Sequence, residues 1–201
     1  MTELILSALI GYLLGSIPFS FVIPKLLKGI DIRDYGSGNI GGSNVIRTVG
    51  LIPGIFASLL DILKAMVAVW IIKYIGWGLP YEAISGVSAI IGHNWSIYLR
   101  FSGGRGIACT IGILALLLPR ELIGVFAIMI LGFIAKEGAL SVLIALILLP
   151  PMAIVLNEPF SLVMTAVALL VIAVLRRISF VVEDRKRGLP AKKAFFNRLL
   201  Y

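Results

Sequence analysis

Residues 3–23, ELILSALIGYLLGSIPFSFVI, decide the class of fold. Their only charged residue is Glu3, at the edge, and at 1.5 Å per helical residue the stretch covers the ~30 Å of a bilayer's hydrocarbon. The rest of the chain repeats the pattern. Of 201 residues, 60% are hydrophobic against a usual ~45–50%, and 14% are charged against ~25%. With a mean hydropathy of +1.06, there are too few polar side chains to cover a water-soluble core, so lipid must supply the remaining solvent. The expected class is an all-α integral membrane protein.

Further apolar stretches lie at 51–72, 82–92, 106–119, 121–135, 139–156 and 160–175, giving seven expected spans. Several are shorter than the ~17–25 residues of a standard span, so they must bend, run into loops or pack within protein. No positive residue precedes the first span, and Lys25 and Lys28 follow it, so it reads as a retained helix with its N-terminus outside. Charge supports that orientation independently. The segments then expected inside (24–50, 93–105, 136–138 and 176–201) carry fifteen of the eighteen Lys and Arg residues, and the outer segments carry two, Lys73 and Arg120. The net charge of +8 is thereby assigned to the cytoplasmic face and to anionic headgroups rather than to nucleic acid. The chain reads as one membrane domain, 1–201, ending in a basic cytoplasmic tail, 176–201.

The composition also limits the chemistry. One Cys and one His exclude disulfide frameworks and multi-Cys zinc sites, and no metal or cofactor is expected. Attention falls on two Gly-rich segments placed on the same face. The first is GSGNIGGSNVIRTVG, residues 36–50. Here Gly38 and Gly41 admit close approach of a ligand to the backbone, Ser37, Asn39, Ser43 and Asn44 offer neutral hydrogen bonds, and Arg47 offers a cationic fork. That combination suits a phosphate. Residues 36–41 also spell G-x-G-x-x-G, but no strand precedes them, and Gly42 stands where a Walker loop needs Lys, so neither a dinucleotide nor an ATP site is expected. The plain alternative is an interfacial turn before a helix.

The second segment, GHNWSIYLRFSGGRGIACT, residues 92–110, holds His93 and the turn Gly103-Gly104-Arg105-Gly106. Arg105 between glycines lets guanidinium and backbone meet one anion together. His93 reads either as an interfacial ring satisfied by backbone or as a functional group. Trp95, Tyr98 and Phe101 read as an aromatic belt. Asp61 and Lys64, three apart on one helical face, form an expected intramembrane ion pair, structural or catalytic. Pro18 is a kink signal, and so is the Pro150-Pro151 pair. Cys109 reads as packing.

Taken together, these residues resemble the bacterial acyl-phosphate:glycerol-3-phosphate acyltransferases, the PlsY family, over roughly residues 11–175. The resemblance rests on Gly15-Ser16-Ile17-Pro18, on Gly36-Ser37-Gly38-Asn39 through Gly41, Asn44 and Arg47, on Asp61 and Lys64, and on Gly92-His93 through Gly103-Gly104-Arg105-Gly106. It implies a seven-helix bundle in the bacterial inner membrane with a cytoplasmic active face. The implied reaction transfers a fatty acyl group from acyl phosphate to the 1-hydroxyl of sn-glycerol 3-phosphate, in phospholipid synthesis. Implied partners are those two substrates, membrane lipids and the enzyme that makes acyl phosphate.

In this reading His93 and Arg105 are catalytic. Ser37, Gly38, Asn39, Gly41, Ser43, Asn44, Arg47, Gly103, Gly104 and Gly106 bind substrate phosphates, and Asp61 and Lys64 support them. Three departures from the family pattern are visible: Arg105 where Lys is usual, Lys136-Glu137-Gly138 in place of a Ser-containing turn, and Arg176 to Glu183 in place of an Arg-rich segment with His and Asn. The last leaves open a non-catalytic phosphate- or lipid-binding relative.

Overall fold

The computed structural model describes residues 1–186, and every regular element among them is helical. The chain divides into two compact units, Met1–Leu117 and Leu118–Tyr201. Four helical segments are long and apolar enough to cross a membrane: Thr2–Lys28, Leu51–Ile75, Gly138–Val155 and Phe160–Val182.

The first unit begins with the deciding stretch, which lies within one candidate span, Thr2–Lys28, and is broken inside at the kink signal Pro18. Helix α1, Thr2–Ser16, stops, and α2, Phe19–Lys28, starts afresh. Pro18 lacks an N–H and crowds the preceding turn, so the ladder cannot continue through it. The helix ending at Ser16 therefore has carbonyls without intrahelical partners. Ser96 Oγ donates to the Ser16 carbonyl at 2.6 Å, and Lys64 Nζ donates to the Ile17 carbonyl at 2.6 Å. Gly29, in the left-handed region at φ 69°, ends α2.

The segment expected as a loop over 24–50 is largely structured. It contains a 3-10 turn at Ile32–Asp34 and helix α3, Gly42–Thr48. Then follow α4, Leu51–Ile75, α5, Leu79–Asn94, and α6, Ile107–Leu117. The last two, of 16 and 11 residues, occupy the expected short spans 82–92 and 106–119.

Small residues set how closely these helices lie. A Cβ on Gly11 would fall 2.1 Å from the Ser85 carbonyl oxygen, one on Gly15 2.0 Å from that of Ala89, and one on Gly92 2.2 Å from that of Tyr12. Helices α1 and α5 therefore touch backbone to backbone. Such close packing holds helices together in lipid, where burial of apolar surface gives no preference for protein over solvent. The signal was in the sequence as Gly11-x-x-x-Gly15, with Ser85, Ala89 and Gly92 opposite.

The second unit carries α7, Pro119–Ile134, α8, Gly138–Val155, and α9, Phe160–Lys186. Helix α8 runs through Pro150 and Pro151, and α9 continues past the expected end at 175, so residues 176–186 of the expected tail are helix. Residues 187–201 of that tail lie outside the described residues. Arg120 pairs with Glu158 and donates to the Leu156 carbonyl, tying the start of α7 to the α8–α9 turn. At the opposite turn Arg177 donates to the Ala139 carbonyl at 3.2 Å, and the Arg176 guanidinium stacks 4.0 Å over Phe180.

Candidate active site

The first loop with the start of α3, the middle of α4, the C-terminal end of α5 and the start of α6 converge on a cavity of about 220 Å³ in the first unit. Its polar wall includes Asn39, Gly41, Gly42, Ser43, Ser58, Asp61, His93, Arg105 and Gly106, and its apolar wall Ile62, Ile107, Ala108 and Ile111. Of the residues singled out from sequence, the fold thus brings Asn39, Gly41, Ser43, Asp61, His93, Arg105 and Gly106 to one place.

Arg105 stands where α6 begins. Gly106, at φ 79°, turns the chain into the helix, and the Thr110 amide closes the first turn on the Gly106 carbonyl. The next N–H groups belong to the start of a helix, which presents partial positive charge, and Ile107 and Ala108 line the cavity. Guanidinium and helix N-terminus therefore favour an anion at the same wall. The Asn39 Oδ1 atom is buried there without a hydrogen-bond partner.

Asp61 and His93 of that wall belong to a buried polar cluster. Lys64 Nζ is 2.7 Å from Asp61 Oδ1 and 3.0 Å from His93 Nδ1, and Ser20 Oγ donates to Asp61 Oδ2 at 2.6 Å. Asp61 is 1% exposed, Lys64 5% and His93 7%. Charges at such depth are tolerated only when paired and hydrogen-bonded, and here each finds partners. Ser20 and Ser58 were not among the residues selected from sequence. Ser20 sits one turn after Ser16, on the side of the broken helix that meets α4, a spacing visible only once the break at Pro18 is known. Cys109 Sγ donates to the Asp61 carbonyl at 3.3 Å, in keeping with packing.

Other expected ligands take different places. Asn44 is 1% exposed and holds the first loop together from inside: its Oδ1 accepts from the Ser37 amide, and its Nδ2 donates to the carbonyls of Ile32, Tyr35 and Asn39. Its Nδ2 hydrogens are directed at backbone carbonyls, so Asn44 serves here as an internal strut of the loop on which the expected phosphate contacts are built. Gly103 and Gly104 are packing positions. The Gly104 amide donates to the His93 carbonyl at 3.1 Å, and a Cβ on Gly103 would fall 2.2 Å from that same oxygen.

Arg47, on the exposed side of α3, and Ser37 and Gly38 lie outside the cavity lining. Asp31 grips Arg33 through Oδ1 to Nε at 2.9 Å and Oδ2 to Nη2 at 2.6 Å, at the entry to the first loop. The Arg33 guanidinium holds the Asp31 carboxyl below the usual carboxylate range.

An all-helical membrane protein with an anion-favouring wall, a buried ionic cluster and an adjoining apolar wall is thereby defined. The sequence profile described as glycerol-3-phosphate acyltransferase matches residues 5–181, and the chain belongs to that family. The glycerol-3-phosphate acyltransferase of Shouchella clausii is 42% identical over 164 residues, covering 80% of this chain and 79% of that protein. The enzyme of the same name from Thermosipho melanesiensis is 50% identical over 117 residues, covering 58% of this chain and 57% of its own length. Among solved structures, this chain is similar to crystal structures of PlsY (YgiH), described as an integral membrane glycerol 3-phosphate acyltransferase. The glycerol 3-phosphate form aligns with a TM-score of 0.80 at 28% identity over 92% of both chains. The lysophosphatidic acid form aligns at 0.79 and 27%, over 96% of this chain and 98% of that one. The chain is accordingly a multi-pass membrane protein.

Proposed function

We propose that this protein transfers a fatty acyl group from acyl phosphate to the 1-hydroxyl of sn-glycerol 3-phosphate at the cytoplasmic face of a bacterial inner membrane, in a seven-span, N-out arrangement. The observation that carries the reading is the pairing of Arg105 and the α6 N-terminus with the apolar wall of Ile62, Ile107 and Ile111 in one cavity. A phosphate and the start of an acyl chain need those two environments side by side. Asn39, Gly41, Ser43 and Gly106 line the polar wall, and Arg47, Ser37 and Gly38 offer a second anion contact on the exposed side of the first loop.

The reaction balances without a protein nucleophile. The hydroxyl oxygen forms a bond to the acyl carbon, the bond from that carbon to the phosphate oxygen breaks with its electron pair going to phosphate, and the hydroxyl proton ends on the released phosphate. The donor is already activated, so the protein's part is to hold the reactants in line and to stabilise charge on the acyl oxygen and the departing phosphate. Arg105 is the cationic group placed for the second task.

The test is purified protein with acyl phosphate and labelled glycerol 3-phosphate, scoring lysophosphatidic acid, with acyl-CoA as the alternative donor. Product from acyl phosphate alone supports the reading. Well-folded protein that binds glycerol 3-phosphate and forms no product from either donor refutes it in favour of a non-catalytic binding protein.

A further inference from the structure

Lysine has three donors and no acceptor. Lys64 Nζ is ion-paired with Asp61 Oδ1 at 2.7 Å, donates to the Ile17 carbonyl at 2.6 Å and faces His93 Nδ1 at 3.0 Å. If Nδ1 carried a hydrogen, two donors would face each other at 3.0 Å inside protein. The imidazole's Nδ1 therefore accepts, and its proton resides on Nε2. His93 Nδ1 is 3.7 Å from Asp61 Oδ1, beyond hydrogen-bonding range, so the carboxylate cannot take over the role of Lys64. Asp61 is itself held, since Ser20 Oγ donates to its Oδ2 and the α2 backbone holds Ser20.

We infer that Lys64 is a positioning residue that fixes His93 as its Nε2–H tautomer, making the ring a hydrogen-bond donor at the cavity and not a base. The inference rests on the acyltransferase reading for its functional half only. The lone pair that a base would need points into the Lys64–Asp61 cluster, away from substrate. A ring in this state stabilises developing negative charge on an acyl or phosphate oxygen, and the hydroxyl proton must leave by another route, namely the substrate phosphate. The arrangement differs from the usual one, in which a carboxylate orients a histidine by accepting from Nδ1–H and so leaves Nε2 basic.

His93 is the chain's only histidine, which makes the test direct. Protein labelled with 15N-histidine in detergent or nanodiscs gives one imidazole, whose two nitrogens are assigned by their couplings to the ring C–H groups. The expected result is protonation at Nε2 with Nδ1 accepting from Lys64. The other titratable groups bearing on the ring are Asp61, Lys64 and Cys109. Protonation at Nδ1, an imidazolium near neutrality or a tautomer mixture in the parent protein overturns the inference.

In Lys64→Met the expected outcome is a mixed or titrating ring with kcat down ~10–100-fold, the range lost when groups that orient catalytic ligands are removed. The KM for glycerol 3-phosphate should stay nearly unchanged. Should that variant fail to fold with Asp61 left unpaired, the double variant Asp61→Asn, Lys64→Met removes both charges and is read in the same way. A locked Nε2–H ring in a folded Lys64 variant also overturns the inference. Absence of acyl transfer in the parent protein sinks the functional reading and leaves the tautomer result standing on its own.

Discussion

Ile40 and Gly104 meet with no room for a methyl group between them: a Cβ on Gly104 would lie 2.2 Å from the Ile40 carbonyl oxygen and 2.3 Å from His93 Nε2. The two Gly-rich segments are thereby joined at one point, with the imidazole as the third party. Gly104→Ala is expected to separate the loops and turn the ring. Misplacing catalytic groups by an ångström can cost ~10²-fold in rate, so acyl transfer should fall by about that factor while the helical circular dichroism spectrum is retained. Parent-level turnover in Gly104→Ala would show that the contact is not needed.

Arg105 and Arg47 are separable by position. Arg105 lines the cavity, and Arg105→Ala should lower kcat/KM by ~10²–10³, the loss typical of removing one donor to developing charge. Arg105→Lys keeps the charge without the planar fork and should fall between parent and alanine. Arg47→Ala, on the exposed face, should raise the KM for glycerol 3-phosphate and leave kcat nearly intact. Steady-state kinetics on the three variants decide the assignment, and equal loss of kcat at both positions would mean that the two are not distinct subsites.

Asn44 offers a stability prediction with little direct chemistry in it. Asn44→Ala removes the acceptor of the Ser37 amide and the donor to three carbonyls, leaving buried backbone groups unpaired. The expected cost is about 2–4 kcal/mol, read as a lowered Tm in detergent. Asn44→Asp should cost at least as much, since it turns two donors into an acceptor facing carbonyl oxygens. A ligand residue would show the reverse: stability kept and affinity lost.

The same loops show how far sequence carries. Long apolar runs and the positions of Lys and Arg made the membrane class legible, and Pro18 marked where the first span breaks. Asn39, Ser43, His93 and Arg105 were singled out from two Gly-rich segments, and the fold brings them to one cavity. What stayed hidden was the division of labour among neighbours. Asn44 and Asn39 look alike in the string, yet one points into backbone and the other lines the cavity, and that depends on α3, a seven-residue helix too short to announce itself by periodicity. Gly103 and Gly104 resembled a phosphate cradle because a close backbone approach to a ligand and to another strand of chain both require glycine.

Helices α1 and α5 give a packing prediction. Gly15→Val would place side-chain atoms where the Ala89 carbonyl stands, 2.0 Å from a Cβ, and the helices must part. Overpacking of this kind costs ~1–3 kcal/mol, occasionally more. Thermal unfolding of the variant should show it, together with loss of activity, because Ser96 reaches the Ser16 carbonyl across that interface.

Asp31 ties pH to the first loop. Its carboxyl is held low, chiefly by the hydrogen bonds from Arg33, so the contribution of the pair is complete above the ordinary carboxylate range and is lost as pH falls through the lowered value. Hydrogen exchange at the Arg33 amide, which donates to Asp31 Oδ1 at 3.0 Å, should speed up below that point and be insensitive to pH-dependent opening in Asp31→Asn.

The break at Pro18 bears on how the chain enters its membrane. Segments emerge from the ribosome N-terminus first, so the broken first span is in place before α4 arrives with Asp61 and Lys64. Alone in lipid, the Ile17 carbonyl at that break would keep only the Phe19 amide, at 3.2 Å, and α4 alone would hold two charges amid hydrocarbon. Each defect is the remedy for the other: Lys64 caps Ile17, and Ser20 receives Asp61. On that order of emergence the polar cluster begins as a docking of two incomplete helices, and His93 is added to it with α5.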